Sequence, residues 1–298
     1  MPAAWVAHHM TGVWAANQAP TAVASSSPNP VADDTTALAL TGTASTDDGT
    51  IRSYLWEQVS GKAGYLSAPF GGTSTFTPDP YAAAVAVDTP VLSLRFEEQS
   101  GTYASDVGTH VGTRTGALAG AVGRIGFCPS LDGVDDYVEI PDHADFDIVG
   151  NMTVEAWVYL TAYNSGQNSE ILVKQNPGDA ATFDWRIDPA GTVSFIDRLT
   201  GGGAYRVAST ASGVVALNTW THLAAVRTAT NVALYKNGGT PTNVTIAAGT
   251  PTIGTAGVRV GLRNDGIYGF QGRIDSVAIY ASALTAARIL AHYNATPA

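Results

Sequence analysis

The residues of this 298-residue chain best suited to chemistry are acids and aromatics, and neither group is spaced as an active site. Cleaving a glycosidic bond needs two carboxyl groups flanking it, which on one strand means acids at alternate positions that share a face. No Glu-x-Asp-x-Glu run or close variant occurs. The nearest pattern is Asp184 with Asp188, four apart around Trp185 and Arg186 and followed at once by Pro189. A solvated hairpin edge accounts for that pair. His8-His9 lacks the glutamate of a metalloprotease helix, and there is neither a Gly-x-Ser-x-Gly elbow nor a phosphate loop. The chain therefore reads as non-enzymatic. A saccharide site would need aromatic platforms beside a few polar groups. The aromatics in or near loops are Tyr163, Trp185, Tyr205 and Tyr268, and these are the candidate ligand contacts. Cys128 is the only cysteine, so an intrachain disulfide and a cysteine zinc site are excluded; beside Phe127 it reads as a small buried thiol.

The elements that must position these groups are strands. Glycine and proline are plentiful, charged residues are only 13%, and β-branched or aromatic runs sit between turn signals, which is an all-β pattern. Net charge is −10 with no basic patch, so nucleic acid and an anionic membrane are poor partners, and no apolar run approaches a membrane span. Met152, Val154, Ala156, Val158 and Leu160 alternate with Thr153, Glu155, Trp157 and Tyr159, the mark of a strand with two different faces. Phe183–Asp188 and Val193–Asp197 flank Pro189-Ala-Gly191 as a hairpin, and Asn237-Gly238-Gly239 closes another. Leu284–Tyr293 is predicted as a helix with Thr285 as N-cap and with Leu290 and Tyr293 on one face.

Three strand motifs follow in order: Leu131-Asp-Gly-Val-Asp-Asp-Tyr-Val-Glu-Ile-Pro141, Trp220-Thr-His-Leu-Ala-Ala-Val226 running on to Asn237-Gly238, and Gly272-Arg-Ile-Asp-Ser-Val-Ala-Ile-Tyr280. With the closing helix they resemble the laminin-G-like, concanavalin-type jelly roll, over about residues 90–298. The resemblance implies a fold that binds glycans or proteins more often than it catalyses, and it places Trp157 and Trp220 at core framework positions. Concanavalin-type glucanases carry alternate carboxylates on one strand, which this chain lacks. The family often holds a structural Ca²⁺. Asp275 would then be the central ligand, on a strand that in this family pairs near the opening one, Val91–Glu97, which brings Glu97 and Glu98 into range, with Asp106 from the following loop. The rival arrangement has Asp275 bonding backbone amides or Arg95. The acids Asp132, Asp135, Asp136 and Asp142 read as turn and surface residues. Where the family places an acid after the helix cap this chain has Arg288, so a weaker helix start is expected.

Residues 19–89 resemble a PKD-type Ig-like domain through a Ser45-Thr-Asp-Asp-Gly49 turn and a Tyr54-Leu-Trp56 strand, with Trp56 expected in its core. Only Tyr81–Asp88 remains for its final hairpin, so the sandwich looks truncated, with an edge to be covered. Residues 1–18 read as an arm that docks through Trp5, Val6 and Trp14. The N-terminal sequence has no basic or continuous apolar stretch of a secretory leader. Together these features suggest an oligomeric virion structural protein, a phage minor tail or capsid decoration component. It would attach through the arm and the Ig-like domain and display the jelly roll to a host surface glycan. The alternative is a secreted, extracellular carbohydrate-binding protein.

Overall fold

The computed structural model describes residues 4–9, 25–27, 38–44, 54–60, 64–66, 72–164, 166–176 and 181–296. The chain divides into two compact units, 1–83 and 84–298. The division falls inside a helix, α1 (Pro80–Val87), where a final hairpin was expected. The reason is local. Asp79 Oδ1 accepts the Ala82 N–H at 2.9 Å as an N-cap, Pro80 takes the first helical position, and four alanines follow.

In the first unit Ala4–His9 pairs antiparallel with Tyr54–Ser60. Part of the expected arm is thus a strand of this unit, covering a row of backbone groups that would otherwise be an open edge. Ser25–Ser27, Leu38–Thr41, Thr73–Pro78 and Gly64–Leu66 form a second small sheet in that order. The Ser45–Gly49 turn and the Trp56 side chain, on which the PKD-type reading rests, lie outside the described residues.

The second unit is a two-sheet sandwich. The first sheet runs Leu118–Val122, Phe127–Asp132, Gln271–Tyr280, Met152–Leu160, Thr221–Arg227, Asn231–Lys236, Thr242–Thr245, with Leu92–Leu94 added along Gln271–Tyr280. The second runs Tyr205–Ser209, Val193–Arg198, Ala181–Ile187, Ser169–Gln175, Val258–Val260, Tyr137–Ile140, Val111–Thr115, Tyr103–Ala104. The opening strand is shorter than Val91–Glu97 because Phe96 adopts φ +62°. Between the sheets lies one apolar core, with Val154, Ala156, Val158 and Leu160 from the first sheet and Phe183, Trp185 and Ile187 from the second. Asn237 and Gly238 have the positive φ their turn requires, 51° and 64°.

The outer face of the first sheet is closed by the C-terminal helix, α2 (Ala286–Ala295). The Thr285 hydroxyl caps it by accepting the Arg288 N–H at 3.3 Å. Ile289 and His292 form the buried face, whereas Leu290 is exposed. Arg288 takes another role in place of the missing acid. Its guanidinium donates to Asp88 at 2.8 and 3.1 Å and to the Ala84 carbonyl at 3.1 Å. Trp157 is buried on this outer face, stacked on Tyr293 with centroids 5.7 Å apart, and is not part of the inter-sheet core. Trp220, also expected in the core, is half-buried beside Tyr159.

Beneath α2 lies a buried polar chain. Glu155, 0% exposed, accepts from the Tyr280 hydroxyl and faces His292 Nδ1 at 2.9 Å and His222 Nε2 at 3.3 Å. His292 Nε2 in turn reaches Asp88 Oδ2 at 2.7 Å. Burial alone would raise the Glu155 pKa, but the two imidazoles hold it down to about 2. Burial would lower that of His292, and Glu155 and Asp88 raise it instead. Glu155 therefore stabilises the fold above its ordinary 4.5 and ceases to as pH falls through about 2. His292 stabilises it below its ordinary 6.5 and ceases to as pH rises through its raised folded value. The cluster's contribution is thus greatest between those two ordinary values. Replacing His292 by alanine should cost about 3 kcal/mol in urea unfolding, as breaking a buried ion pair does. It should also remove the loss of stability on the alkaline side. An alkaline limb unchanged in the variant would refute the assignment.

Candidate functional site

The outer face of the second sheet is covered at its middle, where Val173, Asp184 and Ile196 are buried, and exposed toward its edge, as at Val207. Residues turned away from the core fall in one cross-strand row, Glu139, Arg259, Val173, Asp184, Ile196, Val207, each opposite the next. Arg259 donates to Glu139 at 2.8 and 2.9 Å while lying 4.2 Å over the Tyr137 ring. At the far edge Arg198 lies 5.3 Å from the centroid of Tyr205, which is 52% exposed. Beside the row, the segment from Gly261 to Phe270 folds back through a Phe270 N–H to Gly261 carbonyl bond. It carries Tyr268, at φ +66°, whose ring lies 4.2 Å from the Arg263 guanidinium and 5.4 Å from that of Arg186. Asp265 fixes Arg263 with bonds of 2.6 and 2.9 Å. Burial would raise the Asp265 pKa, but these bonds hold it below its ordinary value. The result is three tyrosines on one face, each with at least one guanidinium against its ring.

Next to Arg186 lie two buried carboxyls. A bulge between Glu170 and Leu172 sets Glu170 opposite Arg186 and turns both Ile171 and Leu172 into the core. Glu170 is 0% exposed, and its backbone N–H donates to the Tyr268 carbonyl at 2.8 Å. Asp184, also buried, accepts from Arg186 at 2.9 Å. Neither Glu170 oxygen nor Asp184 Oδ1 has a donor among the described residues. A proton between them would satisfy both groups: burial and the charge of Asp184 push Glu170 well up, and burial raises Asp184 as well.

At one end of the sandwich Asp197 is clamped by two buried arginines. Arg206 grips both its oxygens at 2.6 Å and Arg227 donates at 3.0 Å. Arg227 also donates to the Ile148 and Gly150 carbonyls, and Arg206 to those of Ala247 and Gly249. The adjoining cleft, lined by Asn151 and Thr228 among others, is about 100 Å³. That is below the ~300 Å³ at which ligand pockets begin, so the clamp is structural.

Of the aromatics named from sequence, Tyr205 and Tyr268 lie on this outer face. Trp185 does not: it is fully buried in the core, because alternation turns it inward with Phe183 and Ile187. Tyr163 packs on the core and donates its hydroxyl to the Val215 carbonyl at 2.6 Å. Asp188 shapes its hairpin turn, accepting from Ala190 and Thr192 N–H, but Asp184 is a buried strand residue and not a solvated edge. The acids expected to share a calcium ion each have other work. Asp275 accepts the Ile125 N–H at 2.9 Å, Glu97 that of Phe127 at 3.1 Å, and Glu98 that of Ala104 at 2.8 Å. Asp106 pairs with Arg95 at 2.7 Å. Among the described residues these four do not bring three ligand atoms within reach of one another; backbone N–H groups and an arginine bond them instead. Cys128 is buried, and burial pushes its thiol far up. Glu170, Arg259 and Arg263 were not found from sequence.

Because folding raises the Glu170 pKa, the protein loses stability as pH rises through that raised value. Glu170→Gln keeps the shape without that burden. It should raise the melting temperature at neutral pH by roughly 2–4 °C, the equivalent of about 1 kcal/mol in a domain of this size. A lower melting temperature at neutral pH would disprove the shared proton.

Comparison with known proteins agrees with this architecture. No curated protein matches the chain in sequence. Among solved structures, the botulinum neurotoxin serotype G binding domain superposes with a TM-score of 0.57 at 13% identity, covering 69% of this chain and 50% of that one. The binding domain of Paraclostridial Mosquitocidal Protein 1 gives 0.57 at 16% identity, covering 70% and 52%. The botulinum neurotoxin serotype D ligand binding domain in complex with N-acetylneuraminic acid gives 0.53 at 16%, covering 71% and 52%. The chain thus spans about half the length of these proteins, and the likeness is one of fold. The family model of the concanavalin A-like lectin/glucanases superfamily matches residues 132–290, just over half of the chain, and the protein belongs to that superfamily.

Proposed function

We propose that the sandwich is a non-catalytic carbohydrate-binding module that uses the outer face of the second sheet. The observation that carries this reading is the set of three tyrosines on that face with guanidinium groups against their rings, Tyr137, Tyr205 and Tyr268. Stacked rings offer flat apolar surface to the C–H faces of a sugar, and the guanidinium edges beside them donate to hydroxyls. Catalysis is disfavoured because the carboxyl pair on this face, Glu170 and Asp184, is sealed from solvent. A fold relative crystallised with N-acetylneuraminic acid supports a saccharide as the ligand class.

In the finer reading, the protein is a virion component that presents this module to a host surface, with the first unit joining it to the particle. Antibody against residues 84–298 should then label purified particles. Labelling confined to the culture medium would favour the secreted alternative.

Binding itself is tested on an array of saccharides, followed by titration of the best ligand. Tyr205→Ala removes an exposed platform, leaves the core untouched, and should weaken binding about tenfold, or ~1.4 kcal/mol. The bound saccharide should be recovered unhydrolysed. Unchanged affinity in both Tyr205→Ala and Tyr268→Asn would rule out this face.

A further inference from the structure

A cluster away from that face has the chemistry of a metal site. His110 stands just before strand Val111–Thr115, and Ala144–Phe146 is a single turn of 3₁₀ helix with His143 as its N-cap. The turn is anchored by Phe146, which is fully buried and packs 4.7 Å from the His110 ring. Three potential ligand atoms, one each from His110, His143 and Asp145, lie within 4.8 Å of one another. His110 Nε2 is 3.0 Å from Asp145 Oδ2, and His143 Nδ1 is 3.2 Å from the same oxygen.

The hydrogen bonding there turns the possible ligand atoms toward one another. His143 Nδ1 accepts the Asp145 backbone N–H at 3.2 Å, so it carries a lone pair and no proton. The same nitrogen faces Asp145 Oδ2, another acceptor. A proton or a metal ion can bridge these atoms, and a metal would take the Nδ1 lone pair in place of the Asp145 N–H.

We propose that His110, His143 and Asp145 bind a divalent transition metal ion of the Zn²⁺ type. Zinc bonds of about 2.0–2.1 Å in tetrahedral array put neighbouring ligand atoms roughly 3.3 Å apart, close to the spacing already present. Two imidazoles and one carboxylate suit Zn²⁺, not Ca²⁺, which takes oxygen alone. The side chains of His143 and Asp145 are 55% and 48% exposed, so an ion can enter from solvent and its fourth position stays open. Because the ligands come from segments 33 residues apart, the ion pins the start of strand Val111–Thr115 to the 3₁₀ turn. It binds the folded state alone and therefore raises its melting temperature.

The test is calorimetric titration of the chelator-stripped full chain with Zn²⁺, with Ca²⁺ as control. One Zn²⁺ per chain should bind, with a concentration-dependent rise in melting temperature and no comparable effect of Ca²⁺. His143→Ala and Asp145→Asn alter exposed side chains outside the core, and each should weaken binding at least about tenfold. Co²⁺ should give the visible absorption of a tetrahedral complex, lost in His110→Gln. No Zn²⁺ binding, equal binding of Ca²⁺, or affinity unchanged in both surface variants, which would place the ion elsewhere, overturns the proposal.

Discussion

The buried carboxylate of Glu155 is the constraint from which much of the sandwich's outer architecture follows. It sits in the middle of the strand Met152–Leu160, on the face turned away from the core, with no exposure to solvent. An ionised group there needs donors, and Tyr280, His222 and His292 supply them. His292 belongs to α2, so satisfying Glu155 requires that helix to dock. Its second nitrogen then faces Asp88, whose other partner is Arg288 one turn earlier on the same helix. Carboxylate, imidazole, carboxylate and guanidinium alternate along this path, so removing His292 at its centre leaves the buried Glu155 charge without that partner. Trp157, two residues along the strand, is sealed under Tyr293 by the same docking.

Much of this fold was legible because strand alternation is a local signal. The two faces of Met152–Leu160, the hairpin at Pro189–Gly191 and the helix cap at Thr285 are set by residues two to four positions apart, and the structure contains each. Helix α1 was equally local yet overlooked. Asp79-Pro80 followed by alanines is a helix start, but expecting the final hairpin of an Ig-like domain put a family pattern ahead of local chemistry. Arg288 shows the reverse. A cap acid was missed at that position, while the actual partner, Asp88, lies 200 residues away in sequence.

The site was less legible, for two physical reasons. A bulge changes the side-chain period, so Glu170 comes to lie opposite Arg186 although simple alternation would not place it there. The pairing of Tyr268 with Arg186 and Arg263 depends on a loop that turns through a positive φ at a tyrosine, which residue type alone does not suggest. Trp185 failed as a platform for the opposite reason. Its alternation with Phe183 and Ile187 was visible, and proximity to a turn was given more weight than the face it had to occupy. The setting of the acids named for calcium was not legible either, because the backbone N–H groups that bond Asp275, Glu97 and Glu98 are invisible in sequence.

Arginine outnumbers lysine twelve to three, and composition by itself gives no reason for it. The structure supplies a physical one. A guanidinium can stack on a ring while its edge donates to a carboxylate, which an ammonium cannot do in one geometry. Arg259 does both with Tyr137 and Glu139, and Arg263 with Tyr268 and Asp265. The same planar fork lets Arg206 and Arg227 share Asp197 while capping carbonyls around it, joining strand Thr221–Arg227 of one sheet to Val193–Arg198 of the other. On the second sheet's outer face, the arginines at Tyr137 and Tyr268 come with carboxylates of their own. That part of the face therefore presents donors and flat rings but little free charge. Such a surface favours a hydroxyl-rich ligand over a polyanion, in keeping with a chain whose net charge is −10.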